Sequence, residues 1–235
     1  MGDEKKAFFA HLEELRRRIL FSLVSVIFLS ALSYIFSEEI LGCLARHVKP
    51  LIFISPQEAF LSYLKISLFG GLVLSSPVIL FNALRFVWVA LHGREKGLFA
   101  IYFAAALLLF AAGAVFAYYA ALPAALRFLL SFSSEFVRPY ISISRYISFA
   151  VFLILAFAVA FETPLFIVLL TKMGLLNSVI LKKKRLYFIV GLFVVAAALT
   201  PPDVITQILL AVPLIVLYEI SILFARMAEK KAEPR

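Results

Sequence analysis

The sequence predicts an all-α integral membrane protein, a bundle of about six transmembrane helices with kinked spans, two short C-terminal spans and structured external caps. Of its 235 residues 64% are hydrophobic, against roughly 45–50% in soluble domains, and its mean hydropathy is +1.04. The apolar residues lie in long continuous runs, which are typical of spanning helices and not of the short alternating strands of a β-barrel. We therefore predict one membrane domain over residues 1–235, with the six-span bundle at residues 19–224.

The first 18 residues are predicted to form a cytoplasmic amphipathic segment, which ends in three consecutive arginines at 16–18. Apolar side chains recur on one helical face of this segment, at Phe8, Leu12 and Leu15. The first span then runs from Ile19 to about Phe36. Arginines directly before a span hold that end in the cytoplasm.

Residues 37–64 form a long connection. It is predicted to lie outside the cytoplasm, because successive connections between spans alternate between the two sides of the membrane. The apolar run at 51–54 makes it too hydrophobic for a disordered linker, so we predict short interfacial helices that cap the bundle. The second span covers about residues 66–91. Its glycine pair at 70–71 allows close helix approach, and Pro77 predicts a kink.

The next uncharged stretch, Leu98 to Leu126, is longer than one crossing, so it tilts or continues outside the membrane. Residues 127–145 form the second external loop, and the fourth span runs from Tyr146 to Thr171. A cytoplasmic loop follows, which contains the basic run at 182–185.

The last two spans are short. The uncharged part of the fifth, residues 186–199, covers only ~21 Å at ~1.5 Å per residue, against a ~30 Å hydrocarbon core. Residues 200–203 turn the chain, and the sixth span runs from Val204 to about Phe224. The charged tail at 225–235 is predicted to be cytoplasmic.

The distribution of positive charge supports cytoplasmic N- and C-termini. Most of the 23 lysines and arginines fall in the segments assigned to the cytoplasm. Those in external segments or at their borders are Arg46, Lys49, Lys65, Arg127, Arg138 and Arg145. The net charge of +9 therefore indicates topology and contact with anionic lipid, and not nucleic-acid binding.

The composition offers no catalytic or cofactor site. A single cysteine, Cys43, excludes an intrachain disulfide, and the three histidines lie outside the apolar runs without metal-ligand spacing. An intramembrane hydrolase would need a Ser/His, metal or paired-aspartate set at depth, yet Asp3 and Asp203 are the only aspartates. We expect neither enzymatic activity nor a cofactor.

Glu162 is the only ionisable residue after Tyr146 and before Lys172, at a depth where a charge is expensive. Pro164 follows it, and its ring and missing N–H predict a kink beside the acid. One interpretation is that Glu162 bonds a hydroxyl or amide on a neighbouring helix and only fixes the packing. The other is a polar site that faces a cavity or a partner.

Acids also lie at the membrane border, where basic residues alone would satisfy the topology. Glu13 and Glu14 precede the first span, and Glu95 lies in the turn between spans two and three. Their structural interpretation is pairing with nearby cations, namely Arg16, Arg17, Arg94 or Lys96. Their functional interpretation is a receptor site for a cationic ligand.

Four short motifs occur in order along the chain. They are HLEELR at 11–16, SPVIL at 76–80 followed by Phe86 and Glu95, FETP at 161–164, and TPPDV at 200–204 followed by Gln207. As a set they resemble the motifs of the TatC family, the multispan subunit of the twin-arginine protein translocase. Together they span almost the whole chain.

The resemblance implies a receptor that binds twin-arginine signal peptides of folded proteins at the cytoplasmic face of the inner membrane. Single-span TatB-like and TatA-like partners would join it in an oligomeric complex, and export would use the proton-motive force. The resemblance sets Glu14 and Glu95 against the arginine pair, with Arg16 and Phe86 in or beside that site.

The resemblance also assigns Glu162, Gln207, Pro50 and Asp203 to partner docking or later steps of translocation. Asp203 has a structural alternative, capping of the sixth helix. A secondary transporter is the alternative function, because it also carries an intramembrane acid and broken helices. It should show internal repeats, and none is evident between the chain halves.

The predicted topology is testable by cysteine labelling in a Cys43→Ser background. An impermeant thiol reagent applied to intact cells should label Glu135→Cys and leave Lys183→Cys unlabelled, because these positions are assigned to opposite sides of the membrane. Labelling of residue 183 without residue 135 would invert the topology.

Overall fold

The computed structural model describes residues 2–48, 50–89, 97–133, 139–199 and 204–232. The helices in these ranges are α1 (Gly2–Tyr34), α2 (Ser37–Leu44), α3 (Pro56–Val89), α4 (Phe99–Phe116), α5 (Leu122–Leu130), α6 (Ile143–Ala160), α7 (Thr163–Lys172), α8 (Ser178–Lys183), α9 (Arg185–Leu199) and α10 (Val204–Ala232). The shorter elements are a 3₁₀ turn at Ala45–His47, a π-helical turn at Ala117–Ala121, and the strands β1 (Leu51–Ile52) and β2 (Ile141–Ser142).

The helical membrane fold is confirmed in the described part of the chain. Four stretches are long and apolar enough to cross a bilayer, namely Pro56–Trp88, Phe99–Leu130, Ile143–Lys172 and Leu210–Glu229. A fifth candidate is a bent pair, Leu12–Tyr34 with Ser37–His47, with 83° between the two helices. The apolar helix Arg185–Val194 is shorter, in keeping with the short fifth span. α10 continues past the predicted end of the sixth span, because its charged last turns extend the helix beyond the apolar part.

The chain folds into two compact units. The first unit comprises residues 1–43 and 63–107, and the second comprises residues 44–62 and 108–235.

In the first unit, α1 and α3 pack closely at the glycine pair. A Cβ atom built on Gly71 would lie 2.6 Å from the backbone Cα of Ser30, and one built on Gly70 would overlap Ser33 Oγ. The Ser67 hydroxyl also donates to the Ser30 carbonyl at 2.5 Å. The close approach predicted from two adjacent glycines is therefore present.

α3 passes through Pro77 without a break. Proline cannot donate to the carbonyl four residues earlier, at Val73. The Ser76 hydroxyl donates to that carbonyl instead, at 2.7 Å. A backbone group that the bilayer would leave without a partner is thus satisfied by the adjacent side chain.

In the second unit, the predicted external cap is short and ordered. β1 pairs in parallel with β2, with Leu51 opposite Ile141. The Glu58 carboxylate accepts hydrogen bonds from the Ile54 N–H at 3.2 Å and from the Ser142 hydroxyl at 3.0 Å. α3 begins at Pro56, earlier than the span predicted from residue 66, because proline suits a first helical turn and Glu58 favours a helix N-terminus.

The kink predicted at Pro164 is a break between two helices. α6 ends at Ala160 and α7 begins at Thr163. Pro164 lies in the first turn of α7, where its missing N–H leaves no intrahelical bond unmade. Glu162 occupies the break, and its carbonyl accepts the Phe166 N–H at 3.0 Å.

The close approach of α1 and α3 predicts an asymmetry between two glycine-to-alanine substitutions. Gly71→Ala should destabilise the protein by about 1–3 kcal/mol, because backbone atoms block the added methyl group. Gly42→Ala should be neutral or stabilising by up to about 1 kcal/mol, since nothing lies within 4 Å of its added Cβ. Thermal unfolding in detergent measures both, and equal midpoints would contradict the packing.

Candidate functional site

A cleft of about 770 Å³ lies within the first unit, lined by residues of α1, α3 and α4. Its polar lining residues are Glu14, Arg17, Arg18, Asn82 and Arg85. Aromatic rings from all three helices, Phe21, Phe81 and Phe103, also line it. The cleft therefore joins a charged region to an apolar one.

Glu14 is bound to a guanidinium in this cleft. Arg18 Nε donates to Glu14 Oε1 at 3.1 Å, and Arg18 Nη2 contacts the same oxygen. Helical residues four apart face each other, so the pairing follows from the sequence spacing. The cations expected to neutralise Glu14 were Arg16, Arg17, Arg94 or Lys96. The structure pairs Glu14 with Arg18, while Arg94 and Lys96 lie outside the described residues. The Glu14 side chain keeps 35% of its surface exposed.

Asn82 connects two walls of the cleft. Its Nδ2 donates to the Ser22 hydroxyl at 3.2 Å, which links α3 to α1. An amide in a spanning helix needs such a partner, because hydrocarbon supplies none. The bond fixes the register of the two helices beside Glu14 and Arg18.

An aromatic cluster continues from the apolar side of the cleft. The Phe81 ring lies 5.4 Å from Phe99, which stacks on Phe103 at 6.3 Å. Trp88 contacts Phe99 edge-on at 5.3 Å. The Arg85 guanidinium lies 5.8 Å from the Phe81 ring centroid, within cation–π range.

The residues predicted for peptide binding separate in the structure. Glu14 lines the cleft, whereas Arg16 is exposed and Phe86 is half-buried on α3, and neither belongs to the lining. Glu95 lies outside the described residues. The predicted set is therefore represented in the cleft by Glu14.

Sequence reasoning did not assign several cleft residues to a site. Arg85, Asn82 and Phe103 were not singled out. A polar amide in an apolar run was the available signal for Asn82. Phe103 carried no such signal, because one phenylalanine among many becomes a lining residue only through helix packing.

Glu162 is enclosed in the second unit, with 3% of its surface exposed. Neither carboxyl oxygen has a hydrogen-bond partner among the described residues, although the Phe110 backbone lies near enough to interact. No hydroxyl or side-chain amide of a described residue bonds Glu162, so both interpretations of this acid stay predictions. Close packing explains the burial, since a Cβ on Gly113 would lie 2.6 Å from the Phe157 carbonyl oxygen and 2.9 Å from Phe161 Cβ.

The other predicted docking residues have separate surroundings. Gln207 Nε2 donates to the Phe193 carbonyl at 2.9 Å, which links α10 to α9. Pro50 is exposed in the cap region, just before β1. Asp203 lies outside the described residues, so its capping role stays a prediction.

α10 also forms hydrogen bonds to α8, which carries part of the basic run at 182–185. The Glu229 carboxylate accepts hydrogen bonds from the Ser178 N–H and, at 2.6 Å, from its hydroxyl. The Tyr218 hydroxyl donates to the Leu181 carbonyl at 2.9 Å. Arg185 on α9 pairs with Glu219 at 2.5 Å. These bonds explain why Glu219 and Glu229 are tolerated in a long apolar helix.

Comparisons with known proteins identify close relatives. Residues 10–213 match the family model described as Sec-independent protein translocase protein (TatC). The Sec-independent protein translocase protein TatC of Carboxydothermus hydrogenoformans is 37% identical over 98% of this chain and 97% of its own length. That of Aquifex aeolicus is 40% identical over 94% of this chain and 95% of its own length. The crystal structure of a twin arginine translocase receptor, TatC, superposes with a TM-score of 0.87 at 40% identity, covering 93% of this chain and 99% of that one.

The burial of the Glu162 carboxyl predicts that an apolar replacement does not lower the thermal stability. Glu162→Met should leave the thermal midpoint unchanged or raised, because replacing an unsatisfied buried polar group by an apolar one is nearly neutral or stabilising. Tyr146→Phe is the matched comparison, since its buried hydroxyl donates to the Leu44 carbonyl at 2.6 Å; it should cost about 1 kcal/mol. A large destabilisation by Glu162→Met would show that the carboxyl holds the fold together.

Proposed function

The chain belongs to the TatC family and is a multispan membrane protein of the Tat translocase; we propose that it is the receptor that binds the twin-arginine signal peptides of folded proteins. Peptides would enter from the cytoplasmic face of the inner membrane, with both termini of the chain on that side. Single-span TatB-like and TatA-like proteins would complete an oligomeric complex that exports the cargo with the proton-motive force.

One observation carries the proposal: Glu14 binds a guanidinium at a cleft between spanning helices. A carboxylate and a guanidinium match in planar geometry, whereas a lysine ammonium is a point charge. The Arg18 pair therefore provides, within one chain, the type of contact proposed for an arginine of the peptide. Glu95 would supply the second carboxylate, and Arg16 and Phe86 would lie beside it.

The internal pair does not prevent exchange with a peptide. Arg18 is 15% exposed, but Glu14 keeps 35% of its side chain exposed, so its carboxylate can accept a second guanidinium while it stays bonded to Arg18. A peptide arginine that also meets Glu95 would gain more than Arg18 loses, because two charge-assisted contacts form together.

Glu162, Gln207, Pro50 and Asp203 are proposed to act in partner docking or later steps of translocation. The burial of Glu162 supports this assignment, because no side chain of the described residues bonds its carboxyl group and a buried acid in a spanning segment is a candidate functional residue. Gln207 already bonds the Phe193 carbonyl, so its contribution is also explained by the link between α9 and α10.

The experiment compares the affinities of a twin-arginine peptide and its twin-lysine counterpart for the purified full chain. Glu14→Gln or Glu95→Gln should each weaken arginine-peptide binding by about ten- to a hundred-fold, since a hydrogen bond to a charged group is worth ~1.5–3 kcal/mol. The arginine-to-lysine affinity ratio should fall toward one in both variants.

Glu13→Gln is the matched control, because Glu13 adjoins Glu14 on α1 but is not part of the cleft lining. It should preserve the affinity ratio while removing the same formal charge. Circular dichroism and thermal unfolding establish that each variant is folded. A ratio that survives the Glu14 and Glu95 substitutions would remove both residues from the recognition site.

A further inference from the structure

The described lining of the cleft in the first unit carries a net positive charge, which binding of a cationic peptide does not explain. Among the described residues, its lining includes the guanidinium groups of Arg17, Arg18 and Arg85 and one carboxylate, that of Glu14. Arg18 is bonded to Glu14, so that pair is close to neutral. Arg17 and Arg85 remain as the excess positive charge of the lining, and both are exposed. This end of the cleft is therefore complementary to an anion.

Apart from Asn82, the other described lining residues are apolar. Phe21 on α1 and Phe103 on α4 line the same cleft as the arginines, together with Pro77 and Val78 on α3. The Phe21 side chain keeps 64% of its surface exposed. A small hydrophilic anion would leave these rings uncovered, whereas an amphipathic anion would cover them and neutralise the arginines together.

The cations lie where lipid headgroups are expected. Arg17 and Arg18 directly precede the apolar part of α1, and Arg85 lies one turn before Trp88, the end of the apolar stretch of α3. Phospholipid phosphates lie at this level of a bilayer, and the cytoplasmic leaflet is rich in anionic lipids. The apolar rings follow toward the hydrocarbon.

We propose that the cleft binds one anionic phospholipid. Its phosphate contacts Arg17 and Arg85, and an acyl chain lies along Phe21 and Phe103. This ligand is chemically opposite to the dicationic signal peptide and uses different residues. The lipid site therefore does not depend on the peptide-binding proposal.

The only tryptophan of the chain provides the readout. Phe99 links Trp88 to the cleft, since its ring lies 5.3 Å from that of Trp88 and 6.3 Å from that of Phe103. Phosphatidylglycerol with brominated acyl chains should quench Trp88 fluorescence of the detergent-purified full chain at low mole ratio and with saturation. Brominated phosphatidylcholine should quench only at higher mole ratio, without a saturable phase.

Arg85→Gln should weaken saturable quenching about five-fold or more, because a cation at a lipid surface contributes about that factor. Arg85→Lys should retain binding within about two-fold, because the lipid phosphate tolerates a point charge. Lys183→Gln is the matched control: it removes an exposed cation of the basic loop outside the cleft and should leave the affinity unchanged.

Three results would overturn the proposal. Equal quenching by the two lipids from wild-type protein would show that the cleft does not select an anion, whatever the variants do. Equal losses in Arg85→Gln and Lys183→Gln would show general surface attraction. Competition by millimolar inorganic phosphate as effective as competition by unlabelled phosphatidylglycerol would show an ion site without an acyl-chain contact.

The peptide experiment separates this proposal from the receptor function. A protein that distinguishes twin-arginine from twin-lysine peptides but shows no lipid selectivity retains the receptor function and loses the lipid site. A protein with lipid selectivity and no peptide discrimination retains the lipid site and loses the receptor function.

Discussion

The structure depends on one constraint: a polar group inside a bilayer must find its partner within the protein. The chain meets this constraint locally at Pro77, where the Ser76 hydroxyl binds the carbonyl that proline leaves open. It meets it between helices at Asn82 and Gln207, whose amides bond Ser22 and the Phe193 carbonyl. Glu162 lacks a side-chain partner among the described residues, and that distinguishes it from Glu219, which pairs with Arg185.

The features of the fold that depend on residues close together in the chain were predicted from the sequence. Apolar runs predicted the spans, and Pro164 predicted the interruption beside Glu162, because hydropathy and a missing backbone N–H act locally. The close packing of α1 and α3 at Gly71 was also predictable, since small residues permit close approach of two helices. The early start of α3 at Pro56 was missed, because hydropathy marks the apolar part of a helix and not its end.

The cleft was less predictable, because its residues meet only after the helices pack. Glu14 was identified from its position at a span border and from the family motif, but its bond to Arg18 was not assigned. Arg85 and Phe103 come from different helices, and no sequence pattern pairs them. Their charges and rings acquire meaning through a shared surface, which is a tertiary property.

The two proposed ligands of the first unit are coupled through charge. A dicationic peptide that approaches Glu14 is repelled by the surplus of guanidinium groups in the described lining. This repulsion is stronger at a protein surface than in bulk water, because the effective dielectric constant is lower there. An anionic lipid phosphate at Arg17 and Arg85 would reduce that surplus without occupying the Glu14 carboxylate. The peptide would then bind more tightly to the lipid-loaded cleft, and by linkage the lipid would bind more tightly in the presence of the peptide. A membrane receptor with this arrangement would recognise arginines best where anionic lipid is present, so the bilayer would contribute to selectivity as well as to solvation.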